Sequence, residues 1–179
     1  NNTSLPNSPL AAIYESGYKK TRSNDLQTNI SLSYNVPWIK GLSVKANGSY
    51  SYGTSHNKNL NTPYSTMVRN SSMDWVQAAD PRGVDLGINL GEGQYTYEQL
   101  VGQASINYVN TFGKNNIDVM ALVEARDYKE NSMSAYAKNL PFAELPELGR
   151  GVATDSPIGG WSDASRSAGY VFRLKYDYD

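Results

Sequence analysis

The stretch LQTNISLSYNVPWIKGLSVKANGSYSY, Leu26 to Tyr52, decides how this chain is read. Leu26, Thr28, Ile30, Leu32, Tyr34 and Val36 alternate with Gln27, Asn29, Ser31, Ser33 and Asn35. A period of two puts successive side chains on opposite faces of an extended chain, so this segment predicts a strand. Pro37 and Gly41 punctuate the PWIKG that follows (37–41). Leu42, Val44, Ala46, Gly48, Tyr50 and Tyr52 then alternate with Ser43, Lys45, Asn47, Ser49 and Ser51, which predicts a second strand and a hairpin. Its polar face carries a single charge, Lys45, fewer than a strand facing open water usually shows. Its apolar face carries tyrosines at both ends.

The alternation returns further along. Leu100, Gly102, Ala104, Ile106 and Tyr108 oppose Val101, Gln103, Ser105, Asn107 and Val109. A turn, GKNN (113–116), follows Phe112. Ile117, Val119, Ala121, Val123 and Ala125 then oppose Asp118, Met120, Leu122, Glu124 and Arg126. Near the end, Tyr170, Phe172, Leu174, Tyr176 and Tyr178 oppose Val171, Arg173, Lys175 and Asp177. Five strands are expected, at about 26–36, 42–52, 99–112, 116–129 and 166–179. The connections alternate: tight turns, then long segments at about 53–98 and 130–165. Within the first long segment, 68–79 is expected to form at most a short helical turn. Structureless loops of this size argue against a compact soluble domain. A transmembrane β-barrel has short turns at one rim, long loops at the other, and strands of about 9–11 residues in the membrane.

The aromatic residues fit the same architecture. Tyr34 and Trp38 fall near the first turn, Tyr50 and Tyr52 at the far ends of the hairpin, and Ile30, Leu32, Val44, Ala46 and Gly48 between. Tyr108, Phe112, Tyr176 and Tyr178 repeat the turn-side level. Two aromatic girdles around an aliphatic band are the layout of a lipid-facing wall. The Ser/Asn face is then a lumen, and Lys45 and Arg173 on it are candidates for contact with a plug. A soluble β-sandwich, such as a carbohydrate-binding module, also alternates. It calls for a more aliphatic inner face, a more charged outer face and shorter loops. A porin or an autotransporter barrel is the other alternative.

Composition sets limits. The 179 residues suffice for one domain with a core. With 39% apolar residues and 14 Tyr against three Phe, strands and turns are favoured over helices. Sixteen basic and 17 acidic residues leave no basic excess for nucleic acid. The absence of cysteine excludes disulfides and thiolate chemistry. No apolar run is long enough for a transmembrane helix, a constraint that does not bear on a barrel. The chain shows no signal peptide, and it starts and stops inside patterned sequence, so a fragment of a longer protein is expected.

No enzyme, metal site or cofactor is expected. His56 is alone, which suits neither a metal centre nor a triad. GINLGEGQY (87–95) lacks the Lys-Ser/Thr of a phosphate-binding loop and predicts a flexible outer loop. Glu144 and Glu147 read as solvated carboxylates. Asp177 and Asp179 read as partners for Arg173 and Lys175. The long segments hold Trp75, Tyr95, Tyr97 and Trp161. Such rings stack on sugars or pack against a partner; they equally build the small cores that hold long loops together.

Four stretches carry a resemblance. SPLAAIYESGY (8–18), NDLQTNISLSYNVPWIKGLSVKANGSY (24–50), INYVNTFGKNNIDVMALVEARDY (106–128) and GYVFRLKYDYD (169–179) resemble the mid-barrel of SusC/RagA-type TonB-dependent outer-membrane transporters. Ser8 stands where the family pattern has Asn in NPLA. The resemblance implies an antiparallel up-and-down meander, all-β, that is a slice of a 22-stranded transmembrane barrel. It implies short periplasmic turns, long extracellular loops, and a plug and TonB box outside this sequence. It also implies a SusD-like surface lipoprotein as partner, energy from TonB–ExbB–ExbD, and import of oligosaccharides (glycans) or peptides. The setting implied is the lipid of a Gram-negative, Bacteroidota-like outer membrane.

Overall fold

A computed structural model describes residues 9–78, 87–152 and 157–178. Seven strands run along it: Gly17–Asn35 (β1), Leu42–Asn61 (β2), Thr66–Arg69 (β3), Trp75–Ala78 (β4), Ile88–Phe112 (β5), Asn115–Leu140 (β6) and Ile158–Tyr178 (β7). A six-residue helix, Pro9–Tyr14 (α1), precedes them, and Leu148–Arg150 makes one 3-10 turn. The main sheet has the order β1-β2-β5-β6-β7 and is an antiparallel meander. β1 and β7 are its outer strands, and β7 is exposed along its whole length.

All five expected strands are present, and each runs further than the sequence suggested. β1 begins at Gly17, β2 continues to Asn61, β5 begins at Ile88, β6 continues to Leu140 and β7 begins at Ile158. The extensions escaped notice because alternation marks only strands with one face wet and one dry. Ser55, His56, Asn57, Lys58 and Asn59 of β2 are polar on both faces. The backbone ladder that holds them is indifferent to side chains. GINLGEGQY is likewise strand from Ile88 onward, not a flexible loop. The supposed helical turn at 68–79 is a hairpin of β3 and β4, with Thr66 opposite Ala78 and Arg69 opposite Trp75. Its turn is built by Asn70, whose side-chain oxygen accepts from the backbone N–H of Ser72 and of Asp74, both at 2.9 Å. ADPRG (79–83) lies outside the described residues, as does Asp179.

The turns are tight. Gly41, at φ +88°, closes the first: Val36 N–H donates to Leu42 O at 2.9 Å and Leu42 N–H to Ile39 O at 3.1 Å. The second is shorter than GKNN, because Asn115 and Asn116 already belong to β6. Gly113, at φ +63°, and Lys114 make the bend. The Asn115 amide donates to Phe112 O at 3.2 Å, and Thr111 donates to Asn116 at 2.7 Å.

The chain divides into two compact units. One comprises Asn24–Thr54, Thr96–Asn131 and Ser162–Asp179, with both turns. Its sheet is two-faced. On one side Ser31 donates to Asn47 at 2.7 Å, Gln103 to Glu124, and Arg173 to Asp118 at 3.2 Å. On the other side Ile30 (62% exposed), Leu32 (66%), Ile106 (54%) and Phe172 (70%) lie uncovered. A sandwich packs such a face against a second sheet, whereas within this chain the face lies uncovered. Tyr34, Trp38, Phe112, Tyr176 and Tyr178 cluster toward the turns and are exposed. The Tyr176 hydroxyl donates to Asn115 at 2.6 Å, and Lys114 Nζ stands 6.0 Å from the Tyr178 ring centre. Apolar bodies with polar tips are what a membrane interface selects.

The other unit comprises Asn1–Ser23, Ser55–Tyr95 and Ser132–Trp161. It has a small core of Leu60, Leu90, Ala137 and Leu140, against which Tyr18, Ile88, Ala143 and Leu148 pack. Leu90 is fully buried. The segment after β6 is tied down over this core. Val152 N–H donates to Lys138 O at 3.0 Å, and Lys58 Nζ reaches Pro146 O and Glu92, each at 2.7 Å.

Candidate ligand-contact site

The structure brings two of the four singled-out aromatics together. Tyr95 of β5 and Trp161 of β7 have ring centroids 6.4 Å apart, tilted by 48°. Both sit on strands, not loops, and Trp161 is half-exposed. By alternation Tyr95 shares a face of β5 with Gly91, and Trp161 shares a face of β7 with Gly159. Those two glycines line a shallow groove of about 450 Å³ in the same unit, together with Asn57, Asn59, Ser134 and Tyr136. The result is a wall of amides and aromatic rings. Amides there can exchange hydrogen bonds with peptide groups or sugar hydroxyls, and the rings offer apolar faces. Asn57, Asn59 and Tyr136 escaped the sequence reading. The one signal was the crowding of Asn and Tyr on alternate positions of segments without an apolar face.

Tyr97 lies in the unit that holds the turns. Its hydroxyl donates to Asp25 at 3.0 Å, and its ring stacks on Tyr128 with centroids 6.4 Å apart and planes 25° apart. Tyr128 in turn donates to Glu130 at 2.8 Å. Gly53 makes this possible: a Cβ there would collide with the Tyr97 ring and the Asp25 carboxylate. Trp75 is on β4, with the Arg69 guanidinium 5.1 Å from its ring centre.

The charged residues also find their places. Lys45 stands on the same side of β2 as Asn47, to which Ser31 donates across from β1. Arg173 pairs with Asp118, and Lys175 with Asp177 at 3.0 Å. His56 Nε2 lies 3.9 Å from Glu92, which Lys58 also engages. Glu147 is not merely solvated: Arg150 Nε sits 2.8 Å from it. That hydrogen bond and charge hold the Glu147 carboxyl below its ordinary range. Among the described residues no group of three His, Asp or Glu side chains is arranged to hold a metal.

The fold is similar to solved transporter structures. It matches the structure of the RagAB peptide transporter with a TM-score of 0.65, at 18% sequence identity, over 90% of this chain and 16% of that one. It also matches the RagAB peptide importer in its "closed-closed" and "open-open" states, each with a TM-score of 0.59 at 17% identity and the same coverage. At such identity the likeness establishes the fold: an all-β antiparallel meander built like a section of these transporters. The chain spans 16% of the length of the solved chains it matches. No protein-family profile and no curated protein sequence matches it.

Proposed function

We propose that this chain is part of the barrel wall of a TonB-dependent outer-membrane importer of nutrients. The observation that carries the reading is the two-faced sheet. One face is hydrogen-bonded and polar, the other is apolar, uncovered and bounded by tyrosines. Water would not tolerate so broad an apolar face, whereas lipid requires it. The outer strands β1 and β7 then pair with further strands of the barrel, which removes their open edges. The likeness to peptide transporters supports import of peptides; oligosaccharides remain the second substrate class, because amides and aromatic rings serve both.

In this reading the wall does no bond chemistry. The polar face lines the lumen, and Lys45 and Arg173 stand there toward a plug; Arg173 also ties β7 to β6 through Asp118. Tyr95 and Trp161, with the neighbouring groove, contact substrate or a SusD-like lipoprotein on the outer side. Tyr97 and Trp75 are further contacts of this kind. Energy comes through a plug and TonB box from TonB–ExbB–ExbD, in an outer membrane of Bacteroidota type. The test is uptake of labelled oligopeptides and oligosaccharides by cells that make the full-length protein, with and without a protonophore. Uptake of one class that stops with the protonophore is expected. Uptake that persists with it would indicate a passive pore instead.

A further inference from the structure

The groove beside Tyr95 and Trp161 lies on the face of its unit that the core leaves open. Leu60 and Leu90 are buried in that core, so by alternation Asn57, Asn59 and Gly91 face the other way. The depth of the groove comes from glycine. Gly91 and Gly93 stand inside β5, where glycine weakens the strand, and Gly159 stands near the start of β7. None of the three has a positive φ, so no turn calls for them. Each space is instead taken by a side chain from a neighbouring strand. A Cβ at Gly91 would stand 3.3 Å from the Tyr136 ring, one at Gly93 2.9 Å from the Asn57 amide nitrogen, and one at Gly159 3.4 Å from Ser134 Oγ. Because β5 lies between β2 and β6, the Asn57 amide and the Tyr136 ring converge over it from its two sides.

The polar groups gathered there are not used by the chain itself. The side chains of Asn57, Asn59, Ser134 and Tyr136 make no hydrogen bond to another described residue. Elsewhere polar side chains pair across strands, as Ser31 does with Asn47 at 2.7 Å and Thr96 with Asn131 at 2.8 Å. Each asparagine in the groove therefore keeps a carbonyl and an amide NH2 for a ligand. The groove is also neutral, since Glu92, which borders it, pairs with Lys58 at 2.7 Å. A ligand is held there by hydrogen bonds and not by charge. Asn57 and Asn59 stand two residues apart on one face of β2, a step of about 6.6 Å at about 3.3 Å per residue. An extended peptide has the same period, because every second residue turns its N–H and C=O to the same edge. Hydroxyls spread around a sugar ring follow no such period.

We propose that Asn57 and Asn59 form a two-rung ladder that hydrogen-bonds alternate peptide groups along one edge of an extended, uncharged stretch of peptide, with Ser134 and Tyr136 on its other side. The proposal rests on the importer reading, whose groove this is, and selects peptide over glycan. The experiment is calorimetric titration of the full-length protein in detergent. Its probes are an N-acetylated, C-amidated hexapeptide of alanine and serine, the all-ester analogue of that peptide, which keeps the chain but has no N–H, and maltohexaose. The peptide is expected to bind at least about tenfold more tightly than either of the others. Asn57→Ala and Asn59→Ala should each weaken the peptide about tenfold and the ester analogue much less. Gly93→Ala, which displaces the Asn57 amide, should weaken the peptide likewise and add nothing to Asn57→Ala. Absent peptide binding, equal binding of peptide and ester, tighter binding of maltohexaose, or peptide binding indifferent to both asparagines would each overturn the proposal. Uptake that still stops with a protonophore would then leave the importer reading standing. Uptake indifferent to the protonophore would overturn that reading instead, whatever the asparagines do.

Discussion

Arg173 of β7 holds the Asp118 carboxylate of β6, its guanidinium 3.2 Å from both oxygens. The pair lies on the polar face, and both side chains keep contact with solvent in this chain. Exposed pairs contribute little, so Asp118→Asn is expected to cost about 0.2–1 kcal/mol. A double-mutant cycle with Arg173→Gln, read from urea unfolding in lipid, measures the coupling. A value near zero would show that the pair is incidental.

Leu90 anchors the other unit. It is fully buried among Leu60, Ala137 and Leu140. Leu90→Ala should destabilise that unit by about 2–5 kcal/mol, since the lost contacts leave a cavity. Limited proteolysis within 141–152 reads the effect, because this segment is held down over the same core. Unchanged cleavage would mean that the segment does not depend on it.

Gly53, Tyr97 and Asp25 form a linked set. Gly53→Ala puts a methyl group where the Tyr97 ring and Asp25 already stand, and is expected to cost about 1–3 kcal/mol. In a Tyr97→Ala background most of that cost should vanish. Additive losses in thermal denaturation would show that the strain lies elsewhere.

The Glu147–Arg150 contact sets a pH dependence. The folded pKa of Glu147 is lowered from 4.5, chiefly by its hydrogen bond to Arg150. A carboxyl so depressed contributes stability above its unfolded value and loses it as pH falls through the folded one. The protection of the Gly151 amide, its exchange rate relative to the intrinsic rate at each pH, should therefore be steady through neutral pH and fall only below the ordinary carboxylate range. Glu147→Gln should remove that acid step and leave the rest of the exchange profile unchanged.

If Tyr95 and Trp161 contact substrate, removing their rings matters more than removing others. Trp161→Ala is expected to weaken binding of the imported peptide or glycan by about tenfold, near the upper end for one aromatic pair. Calorimetric titration on the full-length protein checks this. A loss confined to Trp75→Ala would move the contact to the β3–β4 hairpin.

The two hairpins around Val36–Gly41 and Gly113–Lys114 were legible because each strand there has one apolar and one polar face. Ser31 and Asn47, placed on one face by alternation, do share a hydrogen bond. The remainder of the strands was not legible. His56, Asn57 and Lys58 carry no apolar rhythm, and their strand is held by backbone ladders that leave no trace in side-chain type. The hairpin after Tyr64 was missed for a related reason: its turn depends on the Asn70 side chain, in a stretch crowded with turn-forming residues. Of the candidate site, the sequence supplied the rings of Tyr95 and Trp161 but not their meeting. That meeting needs β5, β6 and β7 side by side well past the region where alternation marks them.

Spin labels placed in turn on the full-length protein in a lipid bilayer test the face assignment most directly. Labels at Val44 and Ile106 should be accessible to oxygen and shielded from a water-soluble nickel chelate. Labels at Lys45 and Gln103 should show low oxygen accessibility. The reverse pattern, or no difference between neighbouring positions, would contradict the barrel wall.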